Sequence, residues 1–316
     1  MMEQKIEKIL TQVRKTIVGK DQCIRKVMTA VLAQGHVLIE DIPGVGKTTL
    51  VLAFAKAMGL EQNRVQFTPD VLPSDITGFS MYDKESRSFH YHKGAIMCNL
   101  FLADEINRTS SKTQSALLEV MEEYAVTVDG ITHKVPQPFM VIATENPMGA
   151  TGTQMLPESQ LDRFLICVVM GYLEKEDEVN LIGEWDPKEG LDEIEPVITK
   201  QELMAMQEQV KKVYIHPKVS EYIVELSQAT RKHEQIQLGL STRASIAVAR
   251  MARAQAYMKG RSFVIPDDVR EIFPDVARHR IKIGHTARLK HLSADRILED
   301  IIKQIKMPRP EGKYEK

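Results

Sequence analysis

Long apolar runs are missing from this chain. The longest mostly apolar stretch, FLICVVMGYL at residues 164–173, is far too short to cross a bilayer as a helix. An excess of charge is missing too. Lys and Arg number 42 against 43 Asp and Glu, a formal net charge of −1. No overall basic field therefore draws the chain to nucleic acid or to a membrane surface, although a local basic groove stays compatible with that balance. Cysteine is scarce: Cys23, Cys98 and Cys167 are odd in number, far apart and without a CxxC pair. That usage speaks against a disulfide or zinc framework and for reduced thiols. His279, His285 and His291 lack metal-ligand spacing, and the locally basic run around them, residues 276–291, reads as exposed charge. The opening MMEQKIEKIL is polar, unlike a secretory signal. No internal repeat is present. The expectation is a cytoplasmic protein with no membrane insertion.

The 316 residues, 43% of them hydrophobic and 27% charged, suffice for two ordinary domains. Ile6, Ile9, Leu10 and Val13 recur at helical spacing, as do Ile24, Val27, Met28 and Val31, and Gly35 ends the second helix. Apolar strands then alternate with helices. The strands are HVLIE, RVQFT, NLFLADE, PFMVIATEN and LICVVM; the helices start near Lys47 and include KTQSALLEVMEE and a short one at ESQLDRF. This alternation indicates a parallel sheet covered on both faces. Two pieces interrupt it, at residues 76–92 and 125–135. Each reads as strand, polar turn, strand, the second with Asp129-Gly130 as a hairpin signal. EWDPKEG, residues 184–190, reads as a linker, and from Thr199 the pattern is helical. The expected division is an α/β core with N-terminal helices over residues 1–186, a helical domain over 187–306, and a disordered tail over 307–316.

EDIPGVGKTT, residues 40–49, lies between strand and helix and contains most of the phosphate-loop motif in its required context. Pro43, Gly44, Val45, Gly46, Lys47, Thr48 and Thr49 are the candidate nucleotide-binding residues. Glycines let backbone N–H groups turn in around a phosphate, and the helix N-terminus adds positive dipole. Lys47 reaches the β- and γ-phosphates in this reading, and the Thr48 hydroxyl binds Mg²⁺. Asp41 stands where the motif has its first glycine; a turn there has only to tolerate a polar residue, which Asp does. LFLADE then supplies an apolar strand ending in two acids. Asp104 is expected to help hold Mg²⁺ and Glu105 to polarise the attacking water, the hydrated cation making the paired carboxylates tolerable. A second carboxylate beside a metal ligand suits hydrolysis, and the lack of an NKxD motif favours ATP over GTP.

The strand PFMVIATEN ends in Thr144, Glu145 and Asn146. Alternation puts Thr144 and Asn146 on one face and Glu145 on the other. An amide beside the γ-phosphate orients water without adding negative charge, the role assigned to Asn146; the alternative is an Asn that starts a turn before Pro147. Arg163 suits bidentate contact with phosphate oxygens; the alternative is a surface ion pair with Asp162 or Glu158. Arg243 opens a helix, where it opposes the helix dipole, so another anion is expected near it. Arg250 and Arg253 read as a solvated face.

Together EDIPGVGKT, FTPDVLPSDITG, LADEINR, KTQSALLEVMEE, VTVDG, ATENP, LPESQLDRF and STRAS resemble the MoxR family of AAA+ ATPases over nearly the whole chain. The part most specific to that family is residues 67–164. The resemblance implies an α/β P-loop AAA+ core with a parallel sheet, plus a C-terminal all-helical lid. It matches Lys47 and Thr48 to Walker A, Asp104 and Glu105 to Walker B, Asn146 to sensor 1, Arg163 to the arginine finger and Arg243 to sensor 2. It matches IVGK, residues 17–20 with Val18 and Gly19, to the wall of the adenine pocket, and the two hairpins to inserts facing a ring pore. It implies ATP and Mg²⁺ as cofactors, a homo-oligomer, usually a hexamer, a protein client, and a von Willebrand factor A domain partner. The family often has Gln where this chain has Glu145, which alternation points away from the phosphate, and usually Pro where Thr242 stands. The expected function is a chaperone-like remodelling ATPase. Alternatives are a nucleic-acid-stimulated motor, against which neutral charge and the hairpin acids Asp83 and Glu85 speak, and a scaffold that binds ATP without turnover.

Overall fold

Apolar strands that need cover on both faces account for the first part of the chain. The computed structural model describes residues 2–42, 44–146, 156–184 and 187–308. Helices α1 (Met2–Arg14) and α2 (Asp21–Leu32) lead to β1 (Val37–Glu40), α3 (Lys47–Ala57), β2 (Gln62–Gln66) and α4 (Pro73–Thr77). A hairpin of β3 (Gly78–Asp83) and β4 (Ser88–Lys93) precedes β5 (Leu100–Asp104), a 3-10 turn at Ile106–Arg108 and α5 (Ser111–Glu123). A second hairpin, β6 (Ala125–Val128) and β7 (Ile131–Lys134), precedes β8 (Met140–Glu145), α6 (Glu158–Leu161) and β9 (Ile166–Val168). Five of these strands form one parallel sheet in the order β2-β5-β8-β1-β9.

The central strands β5 and β8 are buried along their whole length, as near-continuous apolar runs should be. The edge strand β2, QNRVQ, is mostly exposed, and its polar side chains keep that edge from recruiting another strand. One face of the sheet packs Leu38, Phe101, Val141 and Cys167 against Leu117 and Met121 of α5. Ser110 caps α5 by accepting the Thr113 N–H at 3.3 Å. The second hairpin turns through Asp129 at φ 49° and Gly130 at φ 77°, the left-handed pair that the Asp-Gly signal predicts. The two hairpins touch: the rings of Tyr91 on β4 and His133 on β7 stack at 3.9 Å between centroids. Cys23, Cys98 and Cys167 are buried thiols in no disulfide, and burial pushes the Cys98 thiol up to about 12.

Strand β9 is shorter than LICVVM suggested, because the chain turns away after Val168 at Met170 and Gly171. The expected linker is helical where described: α7 (Lys175–Glu184) and α8 (Pro187–Asp192) flank it, followed by α9 (Lys200–Lys211). The chain divides into two compact units, Met1–Glu208 and Gln209–Lys316. That is later than the boundary read from sequence, because the intervening segment belongs to the first unit. Val197 N–H donates to the Ala57 carbonyl, and Gln207 Nε2 to the Val31 carbonyl at 2.8 Å.

The second unit contains α10 (Pro217–Lys232), β10 (Ile236–Leu238), α11 (Thr242–Met258), α12 (Pro266–Ala277), β11 (Lys282–Ile283), α13 (His285–Leu289) and α14 (Ala294–Gln304), with β10 and β11 paired antiparallel. Asp268 is fully buried in the first turn of α12, where it accepts the Ile265 N–H and pairs with two guanidinium nitrogens of Arg261. The basic run at 276–291 is not simply exposed charge. His279 and Arg280 are buried, and Arg280 Nη1 donates to the Val276 carbonyl. Arg253, expected on a solvated face, donates to the Val213 carbonyl at 3.1 Å. Residues 309–316 of the expected tail lie outside the described residues.

Candidate functional site

Strand register decides what meets what at the carboxyl ends of the sheet. Ala103 is opposite Ala143, so Asp104 comes beside Thr144; Ile39 is opposite Thr144, so the loop after β1 comes beside both. Ligands of open parallel sheets sit at this edge.

The loop after β1 bends through Gly44 at φ 85° and Gly46 at φ 90°, where any other side chain is strained. Pro43 lies outside the described residues. Gly46 precedes α3, and no side chain caps that helix. The N–H groups of its first turn, which carries Lys47, Thr48 and Thr49, therefore present donors and the positive end of the dipole to the loop. Lys47 Nζ folds back on the loop and donates to the carbonyls of Asp41 (3.0 Å) and Ile42 (3.1 Å). Burial holds its pKa below the ordinary lysine value, and the nearby charges of Asp41, Asp104 and Glu105 work in the opposite direction.

Asp104 and Glu105 are engaged by protein groups that the sequence reading did not assign to them, Arg64, Gln66, Arg108 and Thr144. Asp104 accepts from the Thr144 hydroxyl at 2.6 Å, and its other oxygen accepts from Arg64 of β2 at 2.7 and 3.3 Å. Thr144 Oγ1 in turn accepts the Glu105 N–H at 2.8 Å. Glu105 has left-handed backbone at φ 57°, a conformation that costs about 1 kcal/mol or more in a non-glycine residue. Its carboxylate pairs with Arg108 at 2.7 Å and meets Gln66 Nε2 at 3.5 Å. Two arginines, Arg64 and Arg108, thus compensate the paired acids. The carbonyl of Asn146 accepts from Asn107 Nδ2 at 3.2 Å, which ties the end of β8 to the turn after Glu105.

A triphosphate with Mg²⁺ fits this donor set. The uncapped helix start takes anionic oxygens. Thr48 and Asp104 offer the hard oxygens that Mg²⁺ prefers, and a carboxylate with two partners retains further lone pairs. Among the described residues no group of three His, Cys, Asp or Glu could hold a metal ion.

Beside the loop lies a cavity of about 440 Å³, bounded by Ile17 and Val18, by Val45 and Gly46, and by Tyr172 and Leu173. Its size and mixed lining suit a small ligand. Gly19 borders the stretch with φ 69°, and a Cβ there would meet the Asp177 carboxylate at 2.2 Å. The far wall had no signal in the sequence. Arg163, just after α6, donates Nε–H to Glu122 of α5 at 3.0 Å, not to Asp162 or Glu158. Arg243, in the second unit, is exposed in the first turn of α11; Ser241 caps this helix, so Thr242 starts it without a proline.

Glu145, 4% exposed, lies against Glu40 in the neighbouring strand. Burial first, then the Glu40 charge and a hydrogen bond with Glu40, push its pKa from an ordinary 4.5 up to about 8. A raised pKa means the folded state holds a proton that the unfolded state releases. The associated stability is complete below 4.5 and is lost as pH rises through about 8. Glu145→Gln removes this loss. Its first-unit unfolding free energy is expected to exceed that of the parent by roughly 1–3 kcal/mol at high pH and to match it near pH 4.5. Denaturant titrations across that range test this, and parallel pH profiles would contradict it.

Three kinds of comparison bear on the arrangement. Residues 36–166 match the model of the ATPase family associated with various cellular activities, and residues 228–301 match the AAA lid domain. YeaC of Bacillus subtilis (strain 168), an uncharacterized protein, is 45% identical over 95% of this chain and 94% of its own. Chaperone MoxR1 of Mycobacterium tuberculosis is 37% identical over 96% of this chain and 82% of its own. A crystal structure of an inferred ATPase from Cytophaga hutchinsonii superposes with a TM-score of 0.88 at 34% identity, covering 97% of this chain and 96% of that one.

Proposed function

The chain belongs to the MoxR family of AAA+ ATPases, and we propose that it hydrolyses ATP as a ring-forming, chaperone-like remodeller of a client protein. The observation that carries this reading is convergence: strand register brings the end of β1, and with it the loop leading to Lys47 at the start of α3, beside Thr144, and Thr144 beside Asp104 at the end of β5, with Glu105 next in the chain. An anion-binding loop and a pair of acids thus share one site.

In this reading Lys47 leaves the Asp41 and Ile42 carbonyls for phosphate oxygens. A Mg²⁺ ion held by Thr48 and Asp104 would neutralise charge across the β- and γ-phosphates. Glu105 orients the attacking water, and the Asn146 amide fixes it without adding negative charge. Val18, Gly19, Val45 and Thr49 border the nucleotide, whose base takes the cavity. Arg163 acts on the nucleotide of the next subunit in the ring, which we assign as a hexamer, and Arg243 contacts phosphate. A von Willebrand factor A domain protein is the proposed partner. The domain assignment is the AAA+ core followed by the helical lid. Buried thiols in no disulfide support a cytoplasmic setting, and among the described residues no helix is long and apolar enough to cross a membrane. The near-neutral charge speaks against nucleic acid as the client.

The exposed apolar residues of the first hairpin support client contact: Phe79, Met81, Tyr82 and Phe89 are each about half exposed or more. Tyr82 and Phe89 pair across the strands, an interaction worth roughly 0.2–1 kcal/mol. Replacing both by Ala is therefore expected to keep basal ATP hydrolysis within about twofold and to abolish client-stimulated turnover. Phosphate release and sedimentation velocity, with and without nucleotide, test the whole reading. Protein that binds Mg–ATP yet releases no phosphate would reject hydrolysis. Lost nucleotide binding in the hairpin variant would reject the separation of client and nucleotide roles.

A further inference from the structure

We propose that Asp41 is a positioning residue that fastens the wall of the base pocket to the phosphate loop, so that its carboxylate governs binding of the nucleoside more than binding of the triphosphate. This deepens the reading above and rests on it.

Asp41 is 5% exposed, and a carboxylate in that setting must be compensated. Backbone donors do this from two sides. Oδ1 accepts the Ile42 N–H at 2.8 Å, within the phosphate loop. Oδ2 accepts two successive N–H groups from a segment about 130 residues away, Met170 at 2.6 Å and Gly171 at 2.7 Å. The main chain of Asp41 is just as engaged: its N–H donates to the Glu145 carbonyl at 3.1 Å, and its own carbonyl accepts from Lys47.

The segment that Asp41 grips is the one that lines the cavity. Gly171, Tyr172 and Leu173 form its far wall. Apolar packing holds that segment at Met170 alone, which is 6% exposed, while Val169 and Tyr172 on either side of Met170 and Gly171 are 49% and 80% exposed. Its other fastenings are polar: the Asp41 carboxylate at Met170 and Gly171, and Lys20 Nζ, which donates to the Tyr172 carbonyl at 2.6 Å. Short hydrogen bonds to a charged group are about twice as strong as neutral ones. Asp41 is therefore the main polar fastening of the wall beside the buried Met170.

Asp41 also occupies the motif's first glycine position, so the proposal makes a sharp distinction. If the loop needed glycine's freedom here, Asp41 would show left-handed backbone. It does not; the positive-φ residues of the loop are Gly44 and Gly46. Asp41→Gly makes the loop conform to the motif and relieves no strain, yet deletes both bonds to the wall.

The test compares Mg–ATP with Mg–tripolyphosphate, which lacks the nucleoside, by calorimetric titration of full-length protein. Asp41→Gly is expected to weaken Mg–ATP binding about 10- to 100-fold and Mg–tripolyphosphate binding less than about threefold. Asp41→Asn, which keeps one acceptor oxygen, should fall between. Lys20→Ala, at the other fastening, should shift the same ratio. Retained tripolyphosphate binding shows that the loop and fold are intact; should Asp41→Gly not fold, the ratio for Asp41→Asn decides. Equal losses for both ligands would mean that Asp41 only supports the phosphate loop, and unchanged affinities that it supports neither; each overturns the proposal while leaving the ATPase reading standing. Parent protein that binds no Mg–ATP would overturn both.

Discussion

Glu105→Gln is expected to bind ATP within about threefold of the parent and to turn it over 10²- to 10⁴-fold more slowly, the range lost with a general base. The substitution keeps the shape of the side chain and removes the charge that orients water. The fold is expected to survive, because the backbone N–H stays on Thr144 and the partly exposed carboxylate pair with Arg108 is worth only about 0–1 kcal/mol. Lys47→Ala is expected to show the opposite pattern. Among the described residues its ammonium donates hydrogen bonds to neutral carbonyls and makes no close ion pair, so its loss costs little in folding. The same loss removes a cation from the phosphate site and should weaken ATP binding about 10- to 100-fold. Nucleotide titration and steady-state phosphate release separate the two variants. Parent-like turnover in Glu105→Gln would remove Glu105 from the mechanism.

Arg163→Ala is expected to bind ATP and lose roughly 10³- to 10⁵-fold in rate, the scale on which an arginine stabilises the transition state of phosphoryl transfer. The resting partner of Arg163 is Glu122 on α5, with both side chains partly exposed. Such a pair is worth about 0–1 kcal/mol, so Arg163 gives it up readily. Mixing Arg163→Ala with Lys47→Ala, each inactive alone, should restore part of the activity. In a mixed ring some interfaces join the intact phosphate loop of one variant to the intact Arg163 of the other. Mixed rings verified by size that stay inactive at every ratio would place Arg163 in its own subunit's site or make the ring strictly concerted. Recovery without any oligomer would refute the ring.

The features legible in the sequence are those whose geometry is local. Gly44 and Gly46 announce left-handed backbone, Asp129-Gly130 announces a two-residue turn, and a buried strand ending in acids announces the edge of a sheet. Contacts that depend on register or on distant backbone left no trace. Nothing in RVQFT says that Arg64 will fall opposite Leu102 and reach Asp104, and nothing marks the N–H groups of Met170 and Gly171 as partners of a carboxylate. Strand alternation separated Thr144 from Glu145, but only the register made Thr144 the bridge between Asp104 and Glu105 and brought Glu145 against Glu40. Helical periodicity likewise does not tell which compact unit a helix packs on, and the two units divide at Glu208 and Gln209.

The stack of Tyr91 on His133 has a mechanical meaning. One hairpin leaves the chain between β2 and β5, the other between α5 and β8, so their roots straddle the strand that ends in Asp104 and Glu105. Two independent hairpins would each bend at the root under load. Joined ring to ring, they resist bending as a braced truss does, and a load on either tip is divided between both roots.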